Sequence, residues 1–347
     1  HGAPAAFAEE PLPIFTADVP SGDDPAAPVR FETDMVPFKP LADVVLVGKA
    51  YAPGAEPRAT PLDVSLRVGS LARTLRVFGD RTWSFPSKLS MTPTITQPRP
   101  FVTMELVYER AFGGIDVASS MWSDENLAGT GFIGKKTTGA IQDRPLPNIE
   151  DPEHLIGSWD TRPRPAGFGF YGRGWMPRLK HVGTPHPEPV DPDERRRGIA
   201  TDFSYEFFNG AHPDLQVKGY LKGDEPVELK NVSPDSLIEF RLPGIRPRVS
   251  VARWTTPPLE WLDRRLQEGR SVTLADAPTA DESPSLVLDT LVLIPDDRLL
   301  YLVFRGHCPL ASLDSLEVAR ITVTMEKSES RRSEKPEPRR PKTPPRR

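Results

Sequence analysis

Proline is the feature that most constrains how this chain can fold. It supplies 41 of the 347 residues, or about 12%, against a usual share of about 5%. Each proline removes a backbone donor and is excluded from helix interiors, so long helices are not expected over most of the chain. Because β-branched residues are common between the prolines, the sequence predicts a mainly β protein with long Pro/Gly-rich loops and few short helices.

Alternation of apolar and polar residues, together with turn residues, predicts the main elements. The predicted elements are hairpins over 62–77, 215–230 and 285–306, a helix over 259–269 and a last strand over 319–326. The first hairpin turns at Gly69-Ser70 and the second around Gly223. Since most neighbouring strands can be joined by short turns, the favoured fold class is an antiparallel β-sandwich-like scaffold.

Composition divides the chain into three segments. Residues 1–30 are rich in Pro, Ala and Gly and predict an extended N-terminal arm. Residues 31–325 form the predicted β domain, which contains a long loop-rich insertion at about 115–200. Residues 326–347 are dominated by Pro, Arg, Lys, Glu and Ser, and this composition predicts a disordered Pro/Arg tail.

Charge and cysteine content exclude several classes of partner. The net charge is −4; the segment 326–347 holds nine Lys/Arg and four Asp/Glu, which gives +5 and leaves −9 for the rest. An acidic body does not suit a nucleic-acid backbone, so no nucleic acid is expected as a partner. No apolar run approaches the roughly 18 residues of a membrane span, so no membrane partner is expected either. A single cysteine, Cys308, excludes an intramolecular disulfide and fits a reducing compartment.

Motifs that could do chemistry are weak in this sequence. The stretch GFGFYG at 167–172 matches G-x-G-x-x-G, but neither a buried strand before it nor a helix after it is predicted, so an aromatic-braced turn is favoured over a nucleotide site. The six histidines and the one cysteine lack zinc or iron spacing. We therefore expect no enzyme activity, no metal and no cofactor, although the sequence leaves open a Cys/His nucleophile whose partners are distant in the chain.

The stretch YERAFGG combines an acid, a base and a glycine pair at the end of an apolar run. If the strand continues through it, alternation places Arg110 and Phe112 on one face and Glu109 on the other. Glu109 and Arg110 would then diverge and could not act as an acid/base pair. Gly113 and Gly114 permit positive φ or close backbone approach, so the stretch is predicted to be a structural corner with a buried Arg110.

A second structural motif is predicted in the strongest hairpin. Asp289 interrupts an apolar strand, and pairing across the turn brings it opposite Phe304 or Arg305, depending on the register. A charge in this position must be paired, because desolvation of an isolated carboxylate is costly. We therefore predict an ion pair between Asp289 and Arg305.

Several segments in a fixed order carry a family resemblance. They are KPLADVVLVGKAYAP, VFGDRTW, YERAFGG, LPNIEDP, PAGFGF with GWMPR, DFSYEFFNGAHPDLQ and LDTLVLIPDDRLLYLVFRG. Through this set, which spans about residues 31–306, the chain resembles a family of type VI secretion effector adaptors or chaperones, a bacterial domain-of-unknown-function family numbered 2169. It departs from the family pattern at 181–198, where Pro and charged residues replace a tryptophan-bearing stretch.

The resemblance implies a non-enzymatic adaptor. Such a protein binds a cognate secreted effector toxin in the cytoplasm and helps load it onto the secretion spike, whose VgrG and PAAR proteins are then further partners. The alternative is a carbohydrate-binding or hydrolytic β-sandwich protein that uses the aromatic-rich region 115–180, with Trp122, Trp159 or Trp175 stacked on a sugar.

The candidate partner-binding residues come from the middle region, because Trp, Tyr and Arg are enriched at protein-binding hot spots. They are Trp122, Trp159, Phe168, Tyr171, Arg173, Trp175 and Arg178. Long loops on a rigid β scaffold would present them to a partner. Addition of a partner strand at an exposed sheet edge is a second expected binding mode.

Overall fold

The computed structural model describes most of the chain between residues 14 and 327. The described residues are 14–21, 28–87, 89–135, 141–184, 200, 202–255, 267–269, 280–308 and 317–327. Most of the predicted helix at 259–269, the predicted tail from 328 onward, and residues 1–13 and 22–27 of the predicted arm lie outside them, as does most of the stretch 181–198. Within the described ranges, no helix is long and apolar enough to cross a membrane.

The structure is mainly β, and the helical elements whose bounds lie within the described residues have three or four residues. The strands are β1 (Val19–Pro20), β2 (Val29–Phe31), β3 (Ala42–Leu46), β4 (Lys49–Tyr51), β5 (Leu62–Val68), β6 (Leu71–Val77), β7 (Trp83–Ser84), β8 (Thr94–Ile95), β9 (Thr103–Glu105), β10 (Phe112–Gly113), β11 (Ile115–Asp116), β12 (Met121–Trp122), β13 (Thr130–Gly131), β14 (Ile149–Glu150), β15 (Gln216–Val217), β16 (Pro226–Lys230), β17 (Leu237–Arg241), β18 (Ile245–Thr255), β19 (Ala280–Glu282), β20 (Val287–Ile294), β21 (Leu299–Arg305) and β22 (Glu317–Lys327). The helical elements are α1 (Met176–Leu179) and 3₁₀ turns at Pro53–Ala55, Tyr108–Arg110, Tyr205–Phe208, Pro213–Leu215 and Pro295–Asp297. The predicted fold class is confirmed.

An antiparallel sheet of five strands forms one layer of the body, in the order β14-β6-β5-β16-β17. Its β5–β6 hairpin is the one predicted at Gly69-Ser70, with Val68 opposite Leu71. Strand β5 alternates strictly between buried and more exposed positions, because Val64 and Leu66 face the core while their neighbours face solvent.

The other layer of the body is a four-stranded sheet in the order β15-β3-β20-β21. Strands β20 and β21 form the predicted hairpin, which turns through the 3₁₀ segment Pro295–Asp297. Strand β3 pairs in parallel with β20, with Val44 opposite Leu291, so this sheet is mixed rather than purely antiparallel. All five residues of β3, ADVVL, are buried. A mostly apolar sequence without alternation is typical of a central strand that is covered on both faces.

The predicted hairpin over 215–230 is wrong. Strand β15 pairs with β3 in the four-stranded sheet, whereas β16 pairs with β5 and β17 in the five-stranded sheet. The chain crosses between the two layers, and the Glu225 carboxylate fixes the crossing by accepting hydrogen bonds from the backbone N–H groups of Lys222 (2.6 Å) and Gly223 (2.9 Å). Gly223 has φ of +85°, which identifies a turn but does not determine which sheet the next strand joins.

One cluster of buried apolar residues lies between the two layers and contains side chains of both sheets, including Leu66, Leu75, Val44 and Leu291. This packing makes the body sandwich-like. Two smaller clusters join the loop-rich region to residues that precede it in the chain. The first contains Trp83, Phe112, Phe132, Ile133, Ile141, Leu146 and Ile156, and the second contains Tyr108, Ala111, Tyr171 and Trp175.

A third sheet, in the order β19-β18-β22, has one long ladder and one short ladder. Strands β18 and β22 pair along the full length of both, from Ile245 opposite Lys327 to Thr255 opposite Glu317. The predicted last strand at 319–326 lies within β22. Strand β19 pairs only with residues 251–253 of β18.

Candidate functional site

The YERAFGG stretch is a corner, but the strand does not continue through it as predicted. Strand β9 ends at Glu105 because its partner β4 begins at Lys49, and the backbone then closes into a 3₁₀ turn. Arg110 is consequently half-buried rather than buried, and its Nη1 donates to Asn148 Oδ1 at 3.0 Å. The expectation of a buried, inward-facing Arg110 is therefore wrong, because alternation applies only while a ladder continues.

The glycine pair performs the predicted structural role. Gly113 has φ of +152° and Gly114 has φ of +100°. A Cβ at Gly113 would collide with the carbonyl oxygen of Asn126, and one at Gly114 would collide with the carbonyl oxygen of Gly129. These positions require glycine because two backbone segments meet there without room for a side chain.

Asn126 is the residue that holds this corner together, and it is absent from the residues that the sequence marks as candidates. Its side chain is fully buried, and Nδ2 donates to the carbonyl oxygens of Tyr108 (2.8 Å) and Phe112 (3.1 Å). Its backbone carbonyl accepts from the N–H of Gly114 at 2.8 Å. A buried amide satisfies loop carbonyls that no ladder reaches, but a lone Asn in a polar turn gives no sequence signal for this role.

Aromatic rings pack behind the corner and carry the GFGFYG segment. The Tyr108 ring lies 4.9 Å from that of Tyr171 and 5.5 Å from that of Trp175, in the latter case edge to face. A Cβ at Gly167 would meet the Tyr108 ring, so this glycine allows the segment to lie against it. Burial raises the pKa of the Tyr108 hydroxyl and keeps it neutral. The segment is the aromatic-braced turn that the sequence predicts.

Four of the seven predicted partner-binding residues are interior. Phe168, Tyr171, Trp175 and Arg178 are all buried. They belong to the packing behind the corner and are not available to a partner on the surface of this structure, in contrast to the expectation from residue type alone. Residue type does not distinguish a binding hot spot from the protein interior, because aromatic side chains are common in both.

Arg178 is an ion-pair anchor inside the loop-rich region. It is 2% exposed, its Nη1 donates to a carboxylate oxygen of Glu32 and to the carbonyl of Tyr171 (3.0 Å), and its Nε donates to the carbonyl of Phe207 (2.9 Å). Arg173, which is half-buried, lies 3.1 Å from Asp18 and 3.7 Å from the same Glu32 carboxylate. The two arginines therefore connect the loop-rich region to the segment before β3.

Trp159 and Trp122 are the predicted tryptophans that retain solvent exposure. Trp159 is half-buried and packs against the cluster around Phe112 and Phe132. The backbone carbonyl of Trp159 accepts a hydrogen bond from Arg162 Nη1 at 3.0 Å. Trp122 is 57% exposed. It lies on the β11–β12 hairpin, where it pairs with Ile115.

The β11–β12 hairpin exposes apolar side chains, with the pair Ile115 and Trp122 on one face and Met121 on the other. Its members Ile115, Val117, Met121 and Trp122 are exposed, with Val117 at 82%. The exposed Met176 begins α1 next to the hairpin, since its N–H donates to the carbonyl of Asp124 at 2.8 Å. We call these five residues the hairpin surface. Grouped apolar exposure of this kind is typical of interaction sites, whereas isolated exposed apolar residues are common on any protein.

A buried carboxylate supports the hairpin surface from below. Asp116 accepts hydrogen bonds from Ser119 Oγ (2.7 Å) and from the N–H of Gly134 (2.9 Å), and Arg144 lies at 3.7 Å. Burial acts to raise the pKa of Asp116, but the hydrogen bonds from Ser119 and Gly134 and the charge of Arg144 outweigh it and lower the pKa. The carboxylate therefore stays ionised and keeps the hairpin in place.

His212 is a buried histidine whose pKa is strongly lowered. Its Nε2 lies 3.1 Å from Arg73 Nη2, and its Nδ1 accepts from the N–H of Asp214 at 3.1 Å. Burial, followed by the positive charges of Arg73 and Arg164, lowers the pKa of His212 to about 3. The imidazole is therefore neutral at physiological pH. Perturbed histidines occur at catalytic sites, but Arg73 also pairs with Asp214, and this set has the character of a structural ion-pair network.

A cleft of about 590 Å³ lies beside the corner and is lined by charged groups, among them Lys49, Glu105, Glu109 and Asp296. Lys49 Nζ pairs with Glu105 at 2.9 Å. The Tyr51 hydroxyl donates to Asp296 at 2.6 Å, and this hydrogen bond raises the pKa of Tyr51 to about 12. Side chains that are paired with each other, as Lys49 is with Glu105 and Tyr51 is with Asp296, are poor general acids or bases at neutral pH.

One group of side chains in the described residues has metal-ligand spacing. The ligand atoms of Asp151, Glu153 and His154 lie within 4.8 Å of one another. Asp151 Oδ1 already accepts from the N–H of Glu153 (2.9 Å), and Asp151 Oδ2 lies 3.9 Å from the Arg73 guanidinium. A nearby fixed cation weakens divalent-metal binding, so the group is better described as a surface loop with its own hydrogen bonds.

The predicted ion pair in the β20–β21 hairpin is present. Arg305 Nε donates to Asp289 Oδ2 at 2.6 Å. A β-bulge between Leu288 and Thr290 rotates Asp289 out of the regular ladder. Arg305 Nη1 also donates to the carbonyls of Asp34 and Val36, both at 2.8 Å, so the pair connects the hairpin to the segment before β3.

The fold and these sites describe a β-sandwich-like protein with a braced, loop-rich region that carries an exposed apolar hairpin. The chain belongs to a family described as an uncharacterized protein conserved in bacteria (DUF2169), whose model matches residues 1–305. Comparison with curated proteins found no match, and comparison with solved structures found none.

Proposed function

We propose that the protein is a non-enzymatic adaptor that binds a cognate type VI secretion effector in the cytoplasm and helps load it onto the spike proteins VgrG and PAAR. The observation that carries the proposal is the hairpin surface, where the cross-strand pair Ile115 and Trp122 is exposed on a braced support. The sequence resemblance supplies the kind of partner.

The chemistry of the hairpin surface suits a protein partner. Trp and Met are enriched at the cores of interfaces, and a tryptophan in a desolvated pocket commonly dominates the binding free energy. The Asp116 hydrogen bonds limit the loss of conformational freedom on binding, because the hairpin is ordered before the partner arrives. A specific interface buries about 800 Å² per partner, so the neighbouring Met176 and other loop residues would also contribute.

The direct test is co-expression with the toxin encoded beside this protein. We expect the toxin to be more soluble in its presence and the two chains to copurify. Since loss of a hot-spot residue costs about 2 kcal/mol or more, the Trp122→Ala variant is expected to weaken toxin binding at least tenfold, measured by isothermal titration calorimetry.

The matched control is Leu237→Ser, which removes another half-exposed apolar side chain at 49% exposure, on the edge strand β17. This variant is expected to bind the toxin like the parent protein. If the toxin is soluble and secreted normally in a strain that lacks the protein, the adaptor function is wrong. If the complex forms and Trp122→Ala binds as tightly as the parent, the adaptor function stands but its surface lies elsewhere.

A further inference from the structure

A groove lies at the edge of β18, where the third sheet opens. Strand β19 pairs with β18 only over Val251–Arg253, and the chain then leaves this ladder at Ser283 to enter β20 in the four-stranded sheet. In the described residues, the part of β18 from Ile245 to Ser250 is therefore paired in a ladder only with β22. The space between the separating strands is a groove of about 610 Å³.

The lining of this groove indicates that it faces a strand edge. One wall is formed by the consecutive residues 246–249 of β18, and the other by the consecutive residues 283–288. Since successive side chains of a strand point to opposite faces, a groove above one face would be lined by alternate residues. Consecutive residues on both walls place the backbone N–H and C=O groups of β18 at the groove.

The ends and floor of the groove are closed by protein. The β18–β19 ladder closes one end, and a hydrogen bond from the Gly244 N–H to the Gly223 carbonyl (2.7 Å) lies near the other. Tyr220, Leu221 and Phe304 contribute to the lining from the four-stranded layer. A cleft with an apolar floor and a strand edge that no other described strand pairs with has the shape that an extended peptide segment fills.

The charge of the groove differs from that of the molecule. Its charged lining residues are Lys222, Arg246 and Arg248, all of them basic, whereas residues 1–325 carry a net charge of −9. Lys222 and Arg246 are exposed. The nearby Glu225 carboxylate is engaged by the N–H groups of Lys222 and Gly223. A local basic groove in an acidic body attracts an acidic segment and disfavours a basic one.

We propose that this groove binds an extended, acidic segment of a partner protein, which adds as a strand to the edge of β18 at residues 246–250. Backbone hydrogen bonds to β18 give affinity, and carboxylates beside Lys222 and Arg246 give selectivity. The edge offered to the segment spans only residues 246–250, so the added ladder is short, which fits a reversible contact. The inference does not depend on the adaptor function or on the hairpin surface.

The binding test uses a fluorescein-labelled eight-residue peptide that alternates valine and glutamate, titrated with the full chain and followed by fluorescence anisotropy. Two control peptides replace all glutamates by lysine or two central residues by proline. We expect both controls to bind at least tenfold more weakly, because the first reverses the charge and the second removes ladder donors. Equal binding of the proline peptide would overturn strand addition.

Variants locate the peptide on the protein. Lys222→Glu with Arg246→Glu is expected to weaken binding at least tenfold, whereas Lys230→Glu, an exposed lysine at the end of β16, is expected to leave it unchanged. Circular dichroism and the midpoint of urea unfolding would show that the double variant is folded. If a folded double variant binds the peptide like the parent chain, the groove is not the binding site.

Amide hydrogen exchange provides a readout specific for strand addition. The peptide is expected to slow exchange at those alternate amides of residues 246–250 that do not face β22, with little change in the β5–β6 hairpin. If these amides are already slow without peptide and no acidic peptide binds, the edge is already occupied and the proposal is wrong.

Discussion

The two-sheet body and the loop-rich region around the corner both contain buried clusters, but their buried backbone groups are satisfied by different means. In the body, apolar side chains on alternate positions of β5 and β6 pack with those along the continuously buried strand β20, and the ladders satisfy the backbone. In the loop-rich region, strands have only two residues, and buried polar side chains such as Asn126 and Arg178 satisfy the carbonyls. Ordered loops of this length need such side chains, because buried backbone groups must be paired.

Single polar side chains should therefore matter as much to the loop-rich region as apolar ones do to the body. The effect on stability should be largest where a buried charge loses its partner, because an uncompensated buried charge is costly. It should be smallest where an exposed side chain is removed.

Arg178→Ala is expected to have the largest effect. It leaves the buried Glu32 carboxylate without its closest cation and removes donors from the carbonyls of Tyr171 and Phe207. Breaking a buried ion pair from one side typically costs about 3–5 kcal/mol, and we expect a loss of this size in urea unfolding. Lys180→Ala, two residues away and exposed, is the control and should change stability by less than about 0.5 kcal/mol. Similar small losses for both variants would contradict the anchor role of Arg178.

Gly113→Ala should be the next most damaging change. The added Cβ would collide with the Asn126 carbonyl, and the backbone has φ of +152°. Overpacking in a rigid site typically costs about 1–3 kcal/mol. A Cβ at Gly157 has nothing within 4 Å, so Gly157→Ala is the control and should be close to neutral. Equal unfolding midpoints for the two alanine variants would show that the corner relaxes around a side chain and does not require glycine.

The pH dependence of stability should contain a contribution from His212. Burial lowers its pKa to about 3 in the folded chain, against about 6.5 when unfolded. At a pH between these two pKa values, His212 is protonated in the unfolded chain but neutral in the folded chain. The free energy of unfolding therefore decreases as the pH falls below about 6.5, by up to about 1.4 kcal/mol per pH unit. His212→Asn keeps an acceptor for the Asp214 N–H but does not titrate.

The expected result is a difference of about 2 kcal/mol in pH dependence between the parent chain and His212→Asn, measured from pH 6.5 to pH 5 by urea unfolding. Subtraction of the two profiles removes the other titrating groups, including Glu150, whose pKa is raised by burial and which acts in the opposite direction. Superimposable profiles would mean that His212 is protonated in the fold or equally perturbed when unfolded.

Local patterns allowed much of the body to be predicted. The β5–β6 and β20–β21 hairpins are encoded by alternation and turn residues within about twenty positions, and the Asp289–Arg305 pair follows from the second of them. The parallel pairing of β3 with β20 and the crossing that follows β15 were not predicted. Such pairings depend on which sheet a strand joins. That is determined by packing between residues far apart in the sequence, which local patterns do not reveal.

The candidate site was less predictable for the same reason. Glu32 and Arg178 are separated by 146 positions, and nothing in either neighbourhood marks the pair. Residue type identified Trp122 as a candidate contact, but it also selected Phe168 and Trp175, which are buried. Aromatic residues serve cores and interfaces alike, so only their placement in the fold distinguishes the two roles.

Trp122→Ala provides the most direct test of the central claim, that the hairpin surface of the loop-rich region serves binding whereas its buried side chains serve stability. Trp122 is 57% exposed, so its removal should change the free energy of unfolding by less than about 0.5 kcal/mol. The decisive measurement is the affinity of this variant for the toxin encoded beside the protein, determined by titration calorimetry on samples of verified stability. We expect a loss of at least tenfold. An unchanged affinity in a fully folded variant would contradict the claim.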